Sequence, residues 1–165
     1  MRFLILCAFG VLAFATPAAA QCPSAMEPGT IAIIQHKQTL CFKDDDGVVT
    51  SFPVATGRDG FTWTGVQYIS NKKEWPDWTP TAAMIKRQPY LPRFMSGGPG
   101  NPLGAAALYL GSTEYRIHGT SDDHSIGHAV SSGCIRMRDK DVLSLYRKVR
   151  VNTPWQRGTK VVVYR

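Results

Sequence analysis

No apolar run in this 165-residue chain is long enough to cross a bilayer as a helix; the longest, residues 3–15, stops well short of the roughly 20 residues a crossing needs. Blocks of five or six like charges are missing, as are internal repeats and low-complexity tracts, which excludes a disordered tail, a solenoid and a fibre. The four cysteines and four histidines are scattered without the paired spacing of a zinc site, so the expected chemistry uses neither metal nor cofactor. What is present is 44% hydrophobic and 19% charged, the composition of one globular domain with an ordinary core.

Residues 1–20 stand apart. Arg2 precedes the apolar run, which ends in Thr16, Pro17 and three alanines; this reads as a secretory signal peptide cut after Ala20, with a mature domain at 21–165 exported to the periplasm or cell envelope. Lys and Arg number 19 against 12 Asp and Glu, a net charge of +7. Outside the cytoplasm such a surface favours envelope polyanions or acidic peptides, and neither nucleic acid nor a membrane span is expected.

With Cys7 in the leader, Cys22, Cys41 and Cys134 remain. Cys22 and Cys41 flank what reads as the first strand, and a bridge between them would contribute about 3 kcal/mol on the chain-entropy scale. Cys134 is then the odd thiol. Ser131-Ser132-Gly133 precede it and Arg136 and Arg138 follow, an exposed electropositive setting that favours a reactive thiol over a buried inert one.

Alternating patterns predict strands at residues 30–34, 39–42, 48–56, 62–70, 106–110, 115–119 and 160–164. Asp44-Asp45-Asp46-Gly47 reads as a hairpin turn and Pro53 as an edge or bulge position. Between 71 and 104, Trp, Pro and Gly are too dense for long elements, and a connection of that length in a compact domain is usually functional. One helix is expected at 139–149, where Val142, Leu145, Tyr146 and Val149 recur on one face and Asp139 stands as N-cap. Alternation at 115–119 sets Tyr115 and Ile117 on one face and Arg116 and His118 on the other, so that His118 points away from the core.

Nucleophilic cysteine catalysis needs a base and donors for an oxyanion. Cys134, in a turn ahead of the helix, and His118, at a strand end, are the candidates. Ile117-His118-Gly119-Thr120, Ser125-Ile126-Gly127 and Val130-Ser131-Ser132-Gly133-Cys134-Ile135-Arg136-Met137 together resemble the signature of the L,D-transpeptidase catalytic domain, the YkuD family. The early hairpin, Pro53-Val54-Ala55-Thr56-Gly57-Arg58, the Thr-x-Thr-Gly turn at 62–65, Gly97-Gly98-Pro99 and Asn101-Pro102-Leu103-Gly104 extend the likeness over nearly the whole mature chain. The resemblance implies a mainly β fold, a YkuD-like sandwich or barrel with one significant helix after the nucleophile. It also implies a cysteine acyltransferase acting on diaminopimelate-containing stem peptides of peptidoglycan. Such enzymes cut a tetrapeptide after the L-configured centre of diaminopimelate, release D-alanine and pass the acyl group to an amine, forming 3→3 cross-links or attaching an envelope protein.

Carried onto these residues, the resemblance makes Cys134 the acylated nucleophile and His118 its base and acid, with Gly133 and Cys134 as main-chain oxyanion donors and Ser131, Ser132 and Gly119 beside them. Arg136 is read as a thiolate stabiliser, a brace on loop carbonyls or a partner for a substrate carboxylate. An imidazolium at His118 together with Arg136 would bring a thiol pKa from about 8.5 down to roughly 3.5–7.5, leaving thiolate at neutral pH. One departure stands out: the family's commonest form is Ser-His-Gly-Cys, and Ser132 occupies the place of that histidine. His36, His124 and His128 read as surface loop residues, and Trp63, Trp75 and Trp78 as anchoring aromatics, the last two also as part of a loop over the donor channel. The alternatives are an L,D-carboxypeptidase on the same donor and a non-catalytic peptidoglycan-binding module.

Overall fold

The computed structural model describes residues 22–165, so the leader expected at 1–20 lies outside the described residues. In chain order the elements are β1 Thr30–Ile34, β2 Thr39–Lys43, β3 Val49–Pro53, β4 Thr56–Gly57, β5 Gly65–Glu74, α1 Ala82–Arg87, β6 Ala106–Leu110, β7 Arg116–His118, β8 Ala129–Ser131, β9 Ile135–Arg136, α2 Asp139–Lys148 and β10 Lys160–Tyr164. Eight strands form one sheet in the order β3-β2-β1-β10-β5-β6-β7-β9, and β4 pairs with β8. The β1–β10 and β7–β9 pairs are parallel. Although β3 and β9 are the outermost strands, the chain leaving β3 bonds to β9 at once: Ala55 and Arg136 exchange two main-chain hydrogen bonds of 2.9 Å. The sheet therefore curls until its edges meet, which leaves no long open edge there. This is the mainly β, barrel-like architecture with one significant helix that the sequence predicts.

Strand β1 is buried at all its positions because it serves two clusters. Ile31 and Ile33 enter the main core with Leu40, Ile69, Leu108, Ile117 and Val161. Ala32 and Ile34 turn the other way, onto Met26 and Cys41, with Cys22 packed alongside. Cys22 and Cys41 are joined as a disulfide, which holds the N-terminal segment over that second face. Helix α2 lies on β6 and β7 and places Val142, Leu145 and Val149 in the core, as its i, i+3, i+7 pattern requires.

Three local expectations need correction. The strand expected at 62–70 is Gly65–Glu74. Its polar end, Asn71-Lys72-Lys73-Glu74, pairs with β6, and Lys72 reaches past it to donate to the Tyr146 and Val149 carbonyls at 2.8 and 3.0 Å, capping the C-terminal end of α2. The run at 48–56 breaks after Pro53, where a residue without an N–H ends the ladder. Asp139 is the first helical residue rather than the cap, a position held by Arg138. From 75 to 104 no long element forms, as expected, and single residues order the chain there. The Thr81 hydroxyl caps α1, and the buried Asn101 amide donates to the carbonyls of Pro76, Met95 and Ser96 while its oxygen accepts the Leu103 N–H.

Candidate active site

The parallel pairing of β7 and β9 builds the site. Ile117 is registered against Ile135 and His118 against Arg136, and one residue earlier the same register sets Cys134 beside Arg116. Paired residues in a parallel ladder share a face, and faces alternate along each strand. Ile117 and Ile135 go into the core; Arg116, His118, Cys134 and Arg136 therefore stand together on the opposite face. His118 and Cys134 are diagonal neighbours, about 8 Å apart at Cα on ladder spacings, close enough for a thiol and an imidazole to meet. His118 points away from the core as its alternation predicts, yet it is only 4% exposed, because that face is covered around it.

The turn carrying Cys134 is braced on all sides. Ser131 Oγ accepts the Gly133 N–H at 3.0 Å and donates to the Cys134 carbonyl at 2.6 Å. Trp63 donates from Nε1 to the Gly133 carbonyl at 2.9 Å and stacks on Tyr115 with ring centroids 4.6 Å apart. Gly133 has φ +110°, and a Cβ there would lie 2.5 Å from Tyr115 Cε1, so only glycine fits. The Gly133 N–H, expected as an oxyanion donor, is engaged by Ser131 Oγ in this structure. Ser132 is partly exposed, and Arg87 of α1 approaches it with Nη2 3.4 Å from Oγ.

The histidine is held from the other side. Its Nδ1 lies 2.6 Å from the Gly119 carbonyl. A carbonyl oxygen can only accept, so Nδ1 carries the proton and Nε2 keeps the lone pair. The Gly119-Thr120 segment is pinned in turn by Asp139, whose Oδ1 accepts the N–H of Thr120 at 3.1 Å and of Ala105 at 2.9 Å. Gly119 lies so close to that carboxylate that a side chain would collide with it. Burial pushes the imidazole pKa down to about 4, with Arg136 and Arg116 adding to the fall and the Gly119 carbonyl opposing it. Burial also pushes the Cys134 thiol up, against the pull of Arg116 and Arg136. The resting pair is therefore neutral thiol and neutral imidazole, where the sequence reading expected thiolate and imidazolium. Desolvation in a covered site outweighs the attraction of the ion pair.

The structure brings Cys134, His118, Gly119, Ser131, Ser132, Gly133 and Arg136 into one neighbourhood. His36, His124 and His128 lie exposed elsewhere. Arg116, Asp139, Trp63 and Arg87 belong to the same neighbourhood, although sequence reasoning gave none of them a role there. For Arg116 a signal was available, since it shares the alternation that places His118. Two surface clefts of about 420 and 740 Å³ are lined by other residues, the first around His36 and Pro53 and the second around Asp122 and Lys140.

A family model of the YkuD L,D-transpeptidase catalytic domain matches residues 28–163. The chain is 35% identical over 139 residues to the probable L,D-transpeptidase ErfK/SrfK of Escherichia coli strain K12, and 38% over 148 residues to the probable L,D-transpeptidase YcfS of the same strain. These matches cover 79% and 84% of this chain but 44% of each relative, so the chain spans less than half their length. Among solved structures, L,D-transpeptidase 3 from Mycobacterium tuberculosis superimposes with a TM-score of 0.66 at 17% identity, over 82% of this chain and 60% of that one. The catalytic domain of the E. faecium L,D-transpeptidase acylated by ertapenem gives 0.60 at 20% identity, over 86% of this chain and 100% of that domain. With that match running from Pro28 to Val163 and the Cys134–His118 face inside it, this chain belongs to the YkuD family of L,D-transpeptidase catalytic domains.

Proposed function

We propose that the domain is an exported L,D-transpeptidase that forms a thioester at Cys134 with a murein tetrapeptide, releases D-alanine and transfers the acyl group to an amine. The carrying observation is one sheet face that holds a thiol beside a histidine whose base nitrogen is already selected by the Gly119 carbonyl. In this reading His118 takes the thiol proton as sulfur attacks the carbonyl and returns it to the leaving amine of D-alanine, and the Cys134 N–H serves as oxyanion donor. Arg87, Arg116 and Arg136 surround the nucleophile, and none is in an ion pair among the described residues, which suits a donor rich in free carboxylates. The charge of Arg136 pulls the Cys134 thiol pKa down against burial, which supports its electrostatic role. The disulfide agrees with export to an oxidising compartment.

Incubation of the mature protein with disaccharide tetrapeptide is expected to give 3→3 dimers plus free D-alanine. Tripeptide without dimer would select the carboxypeptidase reading. An envelope protein as acyl acceptor would show as a muropeptide adduct on that protein. Intact mass after carbapenem treatment is expected to show one adduct, lost in Cys134→Ala; no adduct and no product would return the non-catalytic binding module. His118→Ala should slow acylation by roughly 10² to 10⁴.

A further inference from the structure

Arg116 has no part in the reading above beyond the general charge, yet its surroundings are unusual. It stands two residues before His118 on β7 and beside Cys134 in the β7–β9 register. Its Nη1 donates to the Glu114 carbonyl at 2.9 Å, and the Cys134 thiol faces that same oxygen at 3.8 Å. The guanidinium also lies against the Tyr109 ring, 5.3 Å from its centroid, which limits where it can swing. Its Nε is buried and has no hydrogen-bond partner. What sets Arg116 apart is place: its guanidinium and the Cys134 thiol meet at one carbonyl oxygen, that of Glu114.

We propose that Arg116 is a further catalytic residue, the guanidinium whose charge holds the Cys134 sulfur as thiolate once its proton has moved to His118. The proton leaves Sγ for His118 Nε2, sulfur keeps the electron pair, and the negative charge develops beside Arg116, so no other reactant is needed. The main-chain N–H and the guanidinium of Arg116 both act on the sulfur, ahead of Arg136, in lowering its pKa against burial. Both arginines also disfavour a charged imidazole, which keeps Nε2 available as base. The charged or titratable groups facing the thiol are Arg116 and His118 from β7 and Arg136 from β9; Arg87 approaches the turn at Ser132, and Glu114 contributes its carbonyl.

The test is alkylation of Cys134 by iodoacetamide across pH 6 to 11, which needs no peptidoglycan and so stands or falls separately from the transpeptidase assay. The variants are Arg116→Lys, which keeps the charge, Arg116→Gln, which keeps a donor for Glu114, and Arg116→Met, which keeps only the stem. The alkylation midpoint is expected to rise by roughly half a pH unit or more in Arg116→Gln and Arg116→Met and to stay near wild type in Arg116→Lys, with the high-pH plateau unchanged in all. Should Arg116→Met fail to fold, Arg116→Gln carries the comparison. An unchanged midpoint in Arg116→Gln, or one in Arg116→Lys shifted as far as in the neutral variants, overturns the proposal.

Discussion

His118 couples the chemistry of the site to the stability of the molecule. In the unfolded chain an imidazole takes up its proton near pH 6.5, whereas in the folded protein burial delays this to about 4. Between those values the unfolded state binds more protons, so stability falls as the pH drops through this window. The full effect is on the order of 3 kcal/mol. Urea unfolding at pH 7 and pH 4 should show wild type losing about that much more than His118→Gln, and equal losses would refute the burial argument. For the same reason the acid limb of acylation by the free enzyme should lie near pH 4, with no inflection at 6.5. Cys134 and His118 were legible because motif and strand alternation name them directly. Their neutral resting state was not, because desolvation depends on what covers a side chain, and nothing in the local pattern reports that.

Among the elements, α2 and β7 are tied by a single carboxylate. In sequence Asp139 looks like a helix cap, since an acidic residue ahead of an amphipathic run is what a cap looks like. In the fold its oxygen crosses to Thr120 and Ala105, fixing the peptide segment that orients His118. Asp139→Ala leaves two main-chain donors without their acceptor and should cost ~3 kcal/mol in urea unfolding, with a fall in acylation rate, while Asp139→Asn, which keeps an oxygen, should lose about half as much. A variant as stable and as fast as wild type would show the tie to be idle. Strand β5 teaches a related lesson. Its polar end hid it from the hydrophobic pattern, because what stabilises Asn71 to Glu74 as strand is pairing with β6 and the reach of Lys72 to the end of α2, both tertiary.

At the scale of the whole molecule, the disulfide and the curled sheet decide how the site is carried. The Cys22–Cys41 bridge spans 19 residues, a loop worth about 3 kcal/mol on the chain-entropy scale. In a domain of this size, reduction should lower Tm by roughly 6–12 °C. Thiol titration of the denatured, unreduced mature protein should find one reactive thiol, and a count of three would dismiss the bridge. The pairing could be inferred from the sequence because only one thiol sits among catalytic neighbours. The closure of the sheet could not be, since Ala55 and Arg136 meet across 81 positions of chain. By itself the sequence determined the family and the candidate pair: a cysteine in a Ser-Ser-Gly-Cys turn, a histidine at a strand end and a mainly β chain to hold them, all written in short-range patterns. Only the tertiary structure decided the protonation of that pair, the engagement of the Gly133 N–H and the place of Arg116 beside the sulfur, because each depends on burial and on contacts between residues distant along the chain.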